Sequence, residues 1–227
     1  MDRQRRRPWT MKRTYLMVAY LIVLHLVTFI LIEKVDAVPK IVNHIDMAMG
    51  VRDQFAALMK GHPGVMMLGD SHTWTLGHVD GGFNRGASGT MVADVQAAIP
   101  PDIEKANAIL LMIGTNDIWR GKTAGLPERM GRLATSLPLG IPLIWSGIPP
   151  GDDFRLDLGE VRAANQVVQA LCAARPGCTY VDTWTLLADD NGRPIESFFV
   201  ADGVHLSADG YRQWLGALDA ALDRFSQ

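Results

Sequence analysis

Four side chains in this sequence are of the types that acyl transfer requires: Ser71, Asn116, Asp202 and His205. Ser71 stands in Gly69-Asp70-Ser71-His72, Asn116 in Gly114-Thr115-Asn116-Asp117, and the other two in Asp202-Gly203-Val204-His205. A hydroxyl becomes a nucleophile when an imidazole takes its proton, and a carboxylate behind the imidazole fixes its tautomer and steadies the imidazolium. Alone on a strand-to-helix turn, Ser71 would read as a helix cap. His205 lies on a loop just ahead of a helix starting near Ser207, with Asp202 three residues before it, so each can reach the next. The expected roles are Ser71 as nucleophile, His205 as base and then acid, and Asp202 as the group that orients His205. Oxyanion stabilisation needs donors aimed at the developing charge, each worth about 3–4 kcal/mol. The Ser71 backbone amide and the Asn116 side chain are two, and a glycine amide within 84–90 is expected as the third.

These residues must be carried by elements whose ends meet. Val65–Leu68, Ala108–Ile113, Ile141–Ser146 and Thr179–Val181 are short apolar runs that read as buried strands. Thr90–Ala98, Pro127–Ser136, Leu156–Ala174 and Ser207–Phe225 carry helical patterns between and after them. Such alternation predicts a parallel sheet with helices on both faces. Ligands of these sheets bind beyond the carboxyl ends of the strands, where Ser71 and Asn116 fall.

The order of the blocks resembles the SGNH (GDSL) hydrolases: Gly69-Asp70-Ser71, then Asn84-Arg85-Gly86-Ala87-Ser88-Gly89, then Gly114-Thr115-Asn116-Asp117, then Asp202-Gly203-Val204-His205-Leu206. The resemblance covers about residues 63–227. It implies a three-layer α/β/α, flavodoxin-like parallel sheet, serine chemistry with neither metal nor cofactor, and Gly89 rather than Gly86 as the third oxyanion donor. Two departures stand out. His72 follows the nucleophile where the family usually has leucine, which sets a second imidazole beside Ser71, packing along the helix or touching the leaving group. Only 18 residues separate Ser71 from Gly89, so the intervening helix and strand must be truncated. Asp70 and Asp117 are expected to hold loops rather than to react. Trp119, with Arg120 beside it, is the candidate aromatic contact for a sugar or an acyl chain with a polar head.

The formal net charge of −2 hides an asymmetry. Residues 1–40 hold eight Lys/Arg against three Asp/Glu and the remainder 14 against 21, giving +5 and −7. An acidic globular part is poorly suited to nucleic acid. The basic cluster of residues 1–13 precedes 14–32, a stretch of 19 residues without Asp, Glu, Lys or Arg. That is near the ~20 residues of a membrane-spanning helix, and it is longer than the ~7–15 of a cleaved leader. The expected organisation is a cytoplasmic 1–13, a transmembrane signal anchor at 14–32, a stalk with an amphipathic helix at 33–62, and a hydrolase domain at 63–227 that is periplasmic or extracellular. Cys172 and Cys178, six positions apart, suit either a disulfide in an exported domain or two buried thiols.

The function expected is a membrane-anchored serine esterase acting on small acyl esters, on O-acetylated carbohydrate or lysolipid-like molecules. An O-acyltransferase modifying envelope polysaccharide would use the same residues. A non-catalytic, membrane-tethered binding domain would not need them.

Overall fold

The computed structural model describes residues 17, 18, 20–25 and 50–225. Of the predicted membrane segment 14–32, residues 17, 18 and 20–25 are helical and exposed, and the rest lies outside the described residues. Among the described residues, no helix is long and apolar enough to cross a membrane. Residues 1–13 and 33–49 also lie outside them. The chain divides into two compact units, Met1–Asp46 and Met47–Gln227, and the second carries all that follows.

Its first element is a helix, α1, over 50–61. Then come β1 (Val65–Gly69), α2 (Ser71–Thr75), β2 (Gly82–Asn84), α3 (Val92–Ala97), β3 (Ala108–Met112), α4 (Thr115–Trp119) and α5 (Leu126–Ser136). β4 (Leu143–Ser146), α6 (Leu158–Ala174), β5 (Cys178–Val181), α7 (Thr183–Leu187) and α8 (Ala208–Leu222) complete it. The five strands form one sheet in the order β2-β1-β3-β4-β5, every pair parallel.

The strand sequences explain the order. Every residue of β1, β3 and β4 is buried, as expected for strands covered on both faces. β2, at one edge, is three residues long, and β5, at the other, is only half buried. Within β3 the pleat deals alternate residues to opposite layers. Ile109 and Leu111 pack with Val92, Met130, Leu133 and Val161 of α3, α5 and α6. Leu110 and Met112 pack with Phe55 and Met59 of α1 and Trp214 and Leu218 of α8. The α/β/α layering is thus written into the period-two alternation.

The segment expected as a stalk differs from that expectation where it is described. The helical stripe of Val51, Phe55 and Leu58 continues through Met59, and all four are buried in the second core layer. Periodicity reveals a face to be covered, and here the domain's own sheet covers it. Met59 also lies against Gly82 of the short edge strand, so α1 covers that edge of the sheet. Cys172, near the end of α6, and Cys178, opening β5, are joined by a disulfide.

Candidate active site

Three crossovers end on the same rim. β1 runs into Asp70 and Ser71, β3 into Gly114 and Asn116, and β4 into the loop carrying Asp153 and Arg155. The segment 199–206 before α8 brings Asp202 and His205 to the same place. The turn after β1 is tight: Gly69 has φ +155°, and any Cβ there would collide with the Met112 carbonyl, so this position requires glycine.

On that turn the Ser71 hydroxyl lies 2.8 Å from His205 Nε2. His205 Nδ1 donates to Asp202 Oδ2 at 2.6 Å, while Asp202 Oδ1 accepts the backbone N–H groups of Val204 and His205, each at 2.9 Å. These partners select one tautomer, with the proton on Nδ1 and a lone pair on Nε2 facing the hydroxyl. Partial burial pushes the Asp202 carboxyl up, but the His205 ring and the two backbone donors outweigh it and bring the pKa down to about 2. The carboxylate therefore stays ionised wherever the imidazole could use it.

The expected oxyanion donors converge from separate loops. The Ala87 N–H donates to the Gly69 carbonyl, and Asn84 binds the Thr73 and Gly77 carbonyls through Nδ2 and the Gly86 N–H through Oδ1, which stitches the Gly89 loop to the turn after β1. Gly89 has φ +76°. Asn116 Nδ2 donates one proton to the Thr90 carbonyl at 3.0 Å, which leaves its second N–H for the cavity. Ser71, Gly89, Asn116, Asp202 and His205 all line one cavity of about 260 Å³. Asp70 and Asp117 hold loops: Asp70 caps α2 by accepting from the His72 N–H, and Asp117 accepts from the Val92 N–H and Arg129.

Of the two expected substrate contacts, His72 is absent from the cavity and Trp119 lines it beneath another side chain. His72 is wholly buried and absent from the cavity wall, so it cannot touch a leaving group. Its ring is drawn inward by Asp70 and the Val204 carbonyl. Trp119 does line the cavity, but it packs on the core and carries the Arg155 guanidinium 3.9 Å from its ring centre, so the surface it offers is Arg155 on an aromatic base. Asp153 holds that guanidinium through Nε at 2.9 Å and a terminal nitrogen at 2.6 Å, and the hydrogen bonds keep its carboxyl far below the ordinary range. Sequence reasoning missed Asp153 and Arg155. Their place after β4, on the same rim as Ser71 and Asn116, is the one signal that could have found them.

The arrangement can generate an alkoxide-like hydroxyl beside several oxyanion donors. Comparison with known proteins gives it a lineage. A model of the GDSL-like Lipase/Acylhydrolase family matches residues 51–213. Among curated proteins, none matches this sequence. Among solved structures, a lipase/acylhydrolase from Enterococcus faecalis is 19% identical with a TM-score of 0.58, over 70% of this chain and 96% of its own. Axe2, an acetylxylan esterase from Geobacillus stearothermophilus, is 20% identical with a TM-score of 0.57, over 71% and 94%. TesA is 18% identical with a TM-score of 0.57, over 71% and 98%. At such identities these structures share the fold. The family match spans most of the chain: this protein belongs to the GDSL-like lipase/acylhydrolase family and is a serine hydrolase acting on ester bonds.

Proposed function

We propose that the chain hydrolyses short-chain acyl esters, with Ser71, His205 and Asp202 as its catalytic triad. The observation that carries this reading is the continuous path from Ser71 Oγ to His205 Nε2 at 2.8 Å and from His205 Nδ1 to Asp202 at 2.6 Å. Ser71 Oγ attacks the ester carbonyl carbon as its proton passes to His205 Nε2. The Ser71 and Gly89 amides and the free N–H of Asn116 hold the oxyanion. Collapse breaks the ester C–O bond, and the departing alkoxide takes the proton from His205. Water then attacks the acyl-serine, gives a proton to His205, and releases the acid as Ser71 is reprotonated.

The cavity supports the substrate class. Its volume of about 260 Å³ is below the ~300–1,000 Å³ of sites that enclose drug-sized ligands. Arg120, Asp153 and Arg155 stand in its wall, a surface better matched to an acetyl ester of a hydroxyl-rich leaving group than to a long alkyl chain. O-acetylated carbohydrate fits this description, and Axe2 is an acetylxylan esterase. The reading includes a membrane anchor at 14–32 and a catalytic domain outside the cytoplasm. The disulfide between Cys172 and Cys178 supports the second part, because such bonds persist in oxidising compartments.

Turnover of p-nitrophenyl acetate and octanoate by the full chain and by Ser71→Ala tests the activity. The expected outcome is Ser71-dependent hydrolysis with kcat/KM higher for acetate. Preference for octanoate would reject the short-chain reading, and turnover surviving in Ser71→Ala would reject the triad. Protease added to intact spheroplasts should remove the catalytic domain; full protection would place it inside.

A further inference from the structure

His72 lies one residue beyond the proposed nucleophile, yet its ring faces away from the cavity with both nitrogens engaged. Nδ1 is 3.0 Å from Asp70 Oδ1 and Nε2 is 3.1 Å from the Val204 carbonyl. Both partners are acceptors. A neutral imidazole carries one N–H, so in this wholly buried ring either tautomer would point a lone pair at a carbonyl or a carboxylate. Only the imidazolium satisfies both.

We propose that His72 is a positioning residue of this site, held as an imidazolium that donates to Asp70 and to the Val204 carbonyl and so pins the Asp202–His205 loop to the turn bearing Ser71. This rests on the triad reading above. Val204 sits between the two groups that the loop must present: its N–H caps Asp202 and its carbonyl is held by His72. A shift of that carbonyl moves His205, the next residue, relative to Ser71. The clamp is buttressed from α8, where the Tyr211 hydroxyl donates to the His72 carbonyl at 2.9 Å.

The charges around the ring agree with this state. Asp70 shares its turn and is wholly buried, its second oxygen has no hydrogen-bond partner among the described residues, and the basic group that its first oxygen meets is the His72 ring. Asp202 faces the ring from the Val204 loop and adds a further attraction, and the His205 ring centre is 5.4 Å away. Tyr211, the α8 side chain bonded to the His72 backbone, is pushed up by burial and remains a neutral donor. Burial pushes the His72 imidazole down, but Asp70 and the Val204 carbonyl outweigh it, so its pKa is raised above the usual histidine value of 6.5. With the folded value raised, the clamp is complete below the ordinary histidine range and is released as pH rises through the folded value.

The test compares His72→Asn and His72→Gln in the full chain, with Ser71→Ala as control. Glutamine places a non-titrating N–H near the position of Nε2 and can still bind the Val204 carbonyl. Asparagine reaches only toward Asp70. With p-nitrophenyl acetate, His72→Asn should lose about 10²-fold in kcat, the scale set by a small misplacement of a reacting group, with KM little changed. His72→Gln should recover most of that loss and should lack the alkaline fall in kcat expected of the wild type. Equal kcat in the two variants, or the wild-type alkaline limb persisting in His72→Gln, would overturn the proposal. Should His72→Asn fail to fold, ¹⁵N-histidine NMR of the wild type across pH decides: two protonated ring nitrogens on His72 persisting above pH 6.5 support it, and loss of the second proton below that value refutes it. Failure of the triad reading shows separately, as turnover in Ser71→Ala, whatever the state of His72.

Discussion

Replacing Asp202 in two ways separates its electrostatic role from its structural one. The carboxylate accepts three bonds, two at Oδ1 from the Val204 and His205 backbone amides and one at Oδ2 from His205 Nδ1. In Asp202→Asn the amide oxygen keeps the two backbone donors, and the amide nitrogen then points an N–H at Nδ1. That forces the other tautomer, with a proton on Nε2 facing Ser71, and the imidazole can no longer accept. The loss expected is about 10⁴-fold in kcat at neutral pH, the scale known for wrong-tautomer triads. In Asp202→Ala the ring is free to choose its tautomer, because His205 is partly exposed and water can meet Nδ1. The right tautomer stays available, but orientation and the carboxylate's support of the imidazolium are both lost, at about 10²–10³-fold. Stability follows the opposite order: alanine strips the cap from two backbone amides, costing about 1 kcal/mol as at a lost helix cap, while asparagine keeps it. Asparagine should therefore be the slower variant and alanine the less stable one, read by kcat on p-nitrophenyl acetate and by thermal melting. Alanine slower than asparagine, or asparagine near wild type, would refute the reasoning.

Asn116→Ala should lower kcat by about 10²–10³-fold with KM little changed, since one N–H is anchored on Thr90 and the other serves the transition state; an unchanged kcat on the same ester would leave Asn116 a loop residue. Asp202 is depressed in the folded chain to about 2 from an ordinary 3.8, so its contribution is present above pH about 4 and is lost as pH falls toward 2. Urea midpoints measured across that window should fall less steeply with acid in Asp202→Asn than in the wild type. Phe55→Ala should destabilise the domain by about 3–5 kcal/mol, because its side chain is buried in the core; a change below about 1 kcal/mol in denaturant unfolding would mean that α1 is a detachable stalk.

What was legible in the sequence follows from where the physics is local. The runs Val65–Leu68 and Ala108–Ile113 announce buried strands because parallel strands covered on both faces must be apolar throughout. Glycine at 69 and the spacing of Asp202 and His205 are local constraints as well, and the structure brings those side chains together. β2 is not legible: Gly82-Phe83-Asn84 carries no apolar run and is held by partners outside it, through pairing with β1, the contact of Gly82 with Met59 and the bonds of Asn84. The stripe of α1 showed a face to be covered without naming its partner, which depends on contacts far along the chain. Asp153 and Arg155 form an ion pair with no motif, positioned by the end of β4 and by Trp119. His72 leaves two readings open in the sequence, packing and leaving-group contact, for a related reason. Its neighbour in sequence is the proposed nucleophile, but its partner Val204 lies 132 residues away.

The central claim is that Ser71, and no other serine, carries the acyl group. Its most direct test is fluorophosphonate labelling of the full chain, mapped by peptide mass spectrometry and titrated against loss of ester turnover. One adduct is expected, on Ser71, with a stoichiometry that tracks inactivation. Full inactivation with Ser71 unmodified, or complete labelling of Ser71 with turnover intact, would contradict it.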